Sequence, residues 1–286
     1  MNWEEIMTNK TLKTIGAAAL AVVVSSVAAL AGPIEDRIAA GEPIRIGFSN
    51  IPIWGFPDEN GDAKGFVNEI ALGILKEMGH DNVETTVTDW GGLIPGLQAN
   101  RYDLITGGLY ILNSRCQNIA FSEPIAQAGD AFIVPAGNPK GIQNYQDILA
   151  AEAMLVTGAG YNTVEAAKKE GLTDPMIMQV PGPTEMLAAV KAGRADAGGM
   201  TYFEAAHLAE NDDAVDVTDP AALPDWTQNW VGVGFREADS DFMAKFNAAL
   251  SGYVGTDAMM QSVEAYGYTA SNLPGDKTAE WVCANR

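Results

Sequence analysis

From residue 44 onward, apolar positions along the chain switch between a period of two and a period near 3.6. Residues 44–48 (Ile-Arg-Ile-Gly-Phe) alternate with Ile44, Ile46 and Phe48 on one face, which predicts a strand. Residues 66–78 carry Phe66, Ile70, Ile74 and Met78 on one helical face and stop at Gly79. A β-branched strand at 83–88, a short helix at 93–99 and a strand at 103–106 running into Gly107-Gly108 follow. An apolar strand at 131–134 precedes the turn residues Pro135, Gly137, Asn138 and Pro139. A second series then reads strand 153–157, helix 162–170 closed by Gly171, strand 176–180, a helix capped by Thr184 and running to Lys191, strand 195–200, helix 202–209 and a short strand at Val215 and Val217. One last strand, 230–235, leads into closing helices at 239–254 and 257–265. Strands and helices alternating at this spacing predict an α/β fold of βα units on mostly parallel sheets.

The two series imply two lobes. The chain crosses between them near 134–138 and returns near 228–235, which makes a two-strand hinge with a cleft. Lobe 1 is expected to be discontinuous (residues 32–134 and 231–286), and lobe 2 to span 138–228. Ligands of open α/β sheets sit beyond the carboxyl ends of the strands, so those loops are where binding residues are sought.

The first 31 residues read as an export signal. Lys10 and Lys13 precede an apolar stretch at 15–24, Ser25 and Ser26 interrupt it, and Ala29-Leu30-Ala31 is a small-residue cleavage site. Two acids before Met7 make Met7 an alternative start to Met1. No Cys follows the cleavage site, so no lipid anchor is expected there, and in a Gram-negative cell the mature chain belongs in the periplasm. The 286 residues carry 37 acidic against 17 basic side chains, a formal charge of −20. Such a surface repels nucleic acid and anionic lipid. The two cysteines, Cys116 and Cys283, suit a disulfide in an oxidising compartment, with two separate thiols as the alternative. Two cysteines and the scattered His80 and His207 give no metal-ligand cluster, and no cofactor motif is found.

The strand ends carry the candidate chemistry. Asn50-Ile51-Pro52-Ile53-Trp54-Gly55 follows the first strand, Asp89-Trp90-Gly91-Gly92 the second, and Gly107-Gly108-Leu109-Tyr110 the third. Each delivers one large aromatic to the same edge. Ordinary packing explains any one of them, but three at equivalent positions point to a shared site. Aromatic faces around one point hold a cation, each contact contributing about 0.5–2 kcal/mol when desolvated. Arg115, in a short helical segment headed by Asn113, has the geometry to grip a carboxylate with two parallel hydrogen bonds. A surface salt bridge is its ordinary alternative. In the second lobe, Asn162 and Thr163 open a helix whose free N–H groups face the same cleft. A cation box with an arginine describes a site for a zwitterion.

These residues resemble a known family. Arg45-Ile46-Gly47-Phe48, Asp58-Glu59-Asn60-Gly61, Gly65-Phe66, Arg101-Tyr102-Asp103, Phe121-Ser122-Glu123-Pro124 and Gly193-Arg194-Ala195-Asp196-Ala197 are similar to the polar amino-acid and opine branch of ABC-importer solute-binding proteins. The resemblance implies a two-lobed periplasmic-binding fold of type 2, with a mixed sheet flanked by helices in each lobe. It also implies a membrane permease as partner and a monomer in solution. Within that branch, Arg115-Cys116 and the tail Gly267-Tyr268-Thr269, Leu273-Pro274-Gly275 and Cys283 resemble the ectoine/hydroxyectoine binders. That likeness implies that Trp54, Trp90 and Tyr110 enclose a delocalised cation and that Arg115 holds the carboxylate.

Two positions depart from the family pattern. Thr201 stands where α-amino-acid binders carry an Asp for the ammonium, which disfavours an α-amino acid. Ile51 stands where the ectoine binders carry an acid for the ring N–H. A site without that acid suits a betaine, unless another polar group such as Asn50 substitutes. A polar amino acid is the other alternative ligand. An enzymatic alternative exists on the same fold, a periplasmic cyclohexadienyl-type dehydratase, with Asp89 as the only obvious acid at the strand ends. No catalytic residue is assigned. A sensor-input version would need a transmembrane segment and an output domain, neither of which the sequence carries.

Overall fold

A computed structural model describes residues 33–286, so the expected export signal at 1–31 lies outside the described residues. Two five-stranded mixed sheets form the molecule. In the first, Ile44–Phe48 lies between Val83–Val87 and Leu104–Ile105, all parallel. Gly234–Phe235 runs antiparallel to Leu104–Ile105, and Ala120–Phe121 closes the edge. The second repeats the plan: Leu155–Gly158 lies between Ile177–Val180 and Ala197–Thr201, all parallel. Asp130–Pro135 runs antiparallel between Ala197–Thr201 and Val215–Val217. In both sheets the first βα strand sits between the second and the third. The chain therefore leaves strands one and three in opposite directions, and the loops beyond them frame a crevice.

Helix Phe66–Glu77 buries Phe66, Ile70 and Ile74 of the expected stripe and adds Val67, Ala71 and Leu75, while Met78 follows the helix as its cap and is half-buried. Asp103 fixes the base of the first lobe. It is fully buried and receives Arg45 at 2.8 Å, Arg236 at 3.0 Å and Arg37 at 3.3 Å. Burial pushes its carboxyl up, but the hydrogen bonds from Arg45 and Arg236 outweigh that and hold it below its ordinary value. Cys116 and Cys283 are joined by a disulfide with Cα atoms 5.9 Å apart. The bond clamps helix Ala279–Asn285 onto the segment Asn113–Cys116 that carries Arg115.

Several boundaries differ from the sequence reading. The first crossing comes earlier than 134–138. Asp130–Pro135 is buried among strands of the second sheet, while Ala126–Ala128 pairs with Asn229–Val231 to make the hinge ribbon. Ala-Gln-Ala has little β-propensity, so the hinge strand left no signal. The expected strand 230–235 is two strands: Asn229–Val231 stays in the hinge, and Gly234–Phe235 joins the first sheet. Gly232 turns the chain between them, its N–H donating to Leu109. Helix Pro183–Lys191 starts with Pro183 at its first position and Gly182 before it, so Thr184 is not its cap. Helices Tyr145–Ala150 and Ala279–Asn285 were not expected.

Candidate functional site

The loops at the two crevices meet. Ile51, Trp54, Gly107, Gly108 and Tyr110 come from the first lobe beyond strands one and three, and Trp90 from beyond strand two. Tyr161, Asn162, Thr201 and Glu204 come from the second. Together they line a cavity of about 10 Å³, room for roughly one water molecule. The three aromatics singled out by position all border it.

Trp54 is the centre of this cluster. Its ring is 5.8 Å from Tyr110, edge to face, and packs on Phe66 at 4.6 Å and Phe203 at 5.7 Å. Two glycines make its seat. Gly65, at φ +99°, would put a Cβ 2.7 Å from the Trp54 backbone, and Gly108, also at φ +99°, would put one 2.7 Å from the indole. The indole Nε1–H donates to the Thr201 hydroxyl at 3.0 Å. Trp90 stands across from Tyr161 at 5.3 Å, and its Nε1–H donates to the Gly160 carbonyl at 3.1 Å.

Arg115 is buried and lies beside the cavity without lining it. Its Nη1 donates to the Tyr110 carbonyl and its Nη2 to the Gly160 carbonyl, both at 2.9 Å, while the guanidinium carbon sits 5.6 Å from the Trp90 ring centroid. No carboxylate oxygen among the described residues lies within 4.0 Å of it. Burial lowers its pKa to about 10.

The second lobe supplies two carboxyls that sequence reasoning missed. Glu204 Oε2 accepts from the Thr201 N–H at 3.2 Å, and Oε1 accepts from the Tyr161 hydroxyl at 3.0 Å. Asp130 Oδ2 accepts from the side-chain amides of Asn162 and Asn229, and Oδ1 has no hydrogen-bond partner. Burial raises both carboxyls, Asp130 to about 8. Burial likewise pushes the Tyr110 and Tyr161 phenols well up, and the Tyr110 hydroxyl has no partner.

The remaining sequence candidates divide. Ile51, Asn162 and Thr201 line the cavity, whereas Thr163 lies just behind it, its hydroxyl bonded to Thr157 and to the Gly199 carbonyl. Asn50 is exposed and lines two grooves of about 740 and 530 Å³ instead, so it does not substitute for an acid in the cavity. Glu204 was hidden because a glutamate three residues after a threonine cap reads as a capping box, and it does form one.

The profile of the bacterial extracellular solute-binding proteins, family 3, matches residues 44–267. The chain belongs to that family. A relative in Sinorhizobium fredii, named "Probable amino-acid ABC transporter periplasmic-binding protein", is 32% identical over 277 residues, covering 94% of this chain and 92% of its own. Among solved structures, EhuB in complex with hydroxyectoine superposes with a TM-score of 0.80 at 28% identity, covering 89% of this chain and 98% of that one. An ancestral amino-acid-binding protein, described as a precursor of cyclohexadienyl dehydratase, gives 0.71 at 25% identity, covering 82% and 99%. This family 3 member is the periplasmic solute-binding component of an ABC importer of the amino-acid type, with the mixed two-lobed fold of its neighbours.

Proposed function

We propose that the protein captures a zwitterionic compatible solute, ectoine or 5-hydroxyectoine first, and delivers it as a monomer to a membrane permease. The observation that carries this reading is a buried cation beside the cavity and a buried carboxyl on its wall, neither of them paired with an opposite charge. Arg115 is a buried cation with no carboxylate partner, and Glu204, on the cavity wall, is a buried carboxyl with no ion-pair partner among the described residues. Buried charges are normally paired, so a guest with one charge of each sign completes both ends. Trp54, Trp90 and Tyr110 add apolar and π-faced walls for a delocalised cation. The hydroxyectoine complex of the EhuB neighbour supports the same class.

Entry requires the lobes to part about the hinge ribbon. That breaks the bonds joining Trp54 to Thr201 and both Trp90 and Arg115 to Gly160. On reclosing, the guest's carboxylate takes over donors of Arg115. The protein acts by binding, not by turnover: relatives carry the names of binding proteins, and the neighbour linked to a dehydratase is itself described as an amino-acid binder.

A thermal-shift screen over ectoine, hydroxyectoine, glycine betaine, proline, arginine and prephenate tests the reading. Ectoine or hydroxyectoine at about 100 times its Kd adds roughly 2.7 kcal/mol of stability. Preference for arginine, or turnover of prephenate, contradicts it.

A further inference from the structure

Glu204 has more acceptor capacity than its cap requires. It is 4% exposed and stands third in helix Tyr202–Asn211. One oxygen accepts the Thr201 N–H and the other the Tyr161 hydroxyl, so each retains a lone pair. Both partners are neutral. No lysine, arginine or histidine nitrogen among the described residues lies within 4.0 Å. A glutamine would serve the capping box equally well without a charge. The carboxyl borders the cavity beside Trp54, Tyr161 and Tyr110, and the Tyr110 hydroxyl is itself buried and unpartnered. On the first-lobe side, the cavity residue ahead of Trp54 is Ile51, which offers no acceptor on its side chain.

We propose that Glu204 selects the ligand by accepting hydrogen bonds from its cationic end. The ligand class is then a small zwitterion whose positive charge sits on protonated nitrogen (amidinium, ammonium or guanidinium), and quaternary ammonium compounds are rejected. The inference rests on the zwitterion reading above and narrows it. A trimethylammonium group fills an aromatic box equally well but has no N–H to give. It leaves the free lone pairs of a buried carboxylate unsatisfied when the lobes meet, which is the stronger form of discrimination. Because Glu204 belongs to the second lobe, this contact is made only on closure. Cation recognition and closure are therefore one event.

The test is calorimetric titration of wild type and Glu204→Gln, which keeps the capping box, with ectoine and with glycine betaine. Wild type is expected to bind ectoine at least tenfold tighter than betaine. Glu204→Gln is expected to lose at least tenfold for ectoine and to leave betaine within twofold. Titration of wild type with a ring-N-methylated ectoine needs no variant, and a loss of about tenfold is expected from the missing N–H. Ectoine affinity indifferent to both changes, or betaine bound as tightly as ectoine by wild type, overturns the assignment of Glu204 while leaving a zwitterion site. Failure of every zwitterion to bind removes the broader reading, and this inference with it.

Discussion

Trp54 and Thr201, 147 residues apart, are joined across the cleft by a hydrogen bond from the indole Nε1–H to the threonine hydroxyl, 3.0 Å long. The same hydroxyl accepts the Glu204 N–H at 3.2 Å and so caps helix Tyr202–Asn211. One oxygen thus ties the first lobe's aromatic floor to the helix that carries the second lobe's carboxylate. Thr201→Val removes both bonds. It is expected to lower stability by about 1 kcal/mol through the lost cap and to weaken ligand binding up to about tenfold through the lost closure contact. Thr201→Ser keeps both, and its titration curve should overlay wild type.

Arg115 is proposed to hold the carboxylate, and the planar fork matters as much as the charge. Arg115→Lys keeps a cation but cannot hold the Tyr110 carbonyl and also present two parallel donors to a carboxylate. Binding measured by calorimetry should weaken on the order of 100-fold, equivalent to one or two charge-assisted hydrogen bonds. An unchanged affinity places the carboxylate elsewhere.

Asp130 gives stability a pH dependence of unusual sign. Its folded pKa is raised to about 8 by burial, against the hydrogen bonds of Asn162 and Asn229 and the field of Arg286, with Glu204 adding repulsion. Below the unfolded value near 3.8 both states hold the proton and the group contributes no penalty. Between there and about 8 the folded state binds more protons than the unfolded, so stability falls with rising pH by about 1.4 kcal/mol per unit. Asp130→Asn should flatten the pH dependence of urea unfolding across that window.

Asp103 acts in the opposite direction. Its folded pKa is depressed, so the stability it contributes is present above the unfolded value and is lost as pH falls through the folded one. Asp103→Asn leaves Arg37, Arg45 and Arg236 converging on a neutral amide. A loss of about 3–5 kcal/mol in chemical denaturation is expected, with ligand affinity of the folded fraction unchanged.

Reduction of the Cys116–Cys283 disulfide frees the tail from the Arg115 segment across a separation of 167 residues. The expected cost is about 2–5 kcal/mol. The Cys116→Ser, Cys283→Ser double variant should match reduced wild type in denaturation. A variant as stable as the oxidised protein contradicts this account of the tail.

Much of the cavity is legible in sequence because strand ends in a βα fold must point one way. Ile51, Trp54, Trp90, Tyr110 and Asn162 lie just past strands and Thr201 ends one, and all border it. What sequence hid depends on contacts made by folding at long range. Asp130 stands just outside the expected strand 131–134, and only the return of Asn229 through the hinge marks it as part of a junction. Tyr161 reads as a loop aromatic, and its role beside Trp90 and Glu204 exists only where the lobes touch. The split of 230–235 was masked by a run of apolar residues and two glycines, of which Gly232 lies between the two strands and Gly234 within the second.

A crystal structure of the protein grown with ectoine measures the central claim directly. The account requires the carboxylate within hydrogen-bonding distance of the Arg115 guanidinium, the ring among Trp54, Trp90 and Tyr110, and the ring N–H groups facing Glu204. Electron density for the solute in one of the outer grooves, or a carboxylate turned away from Arg115, contradicts it.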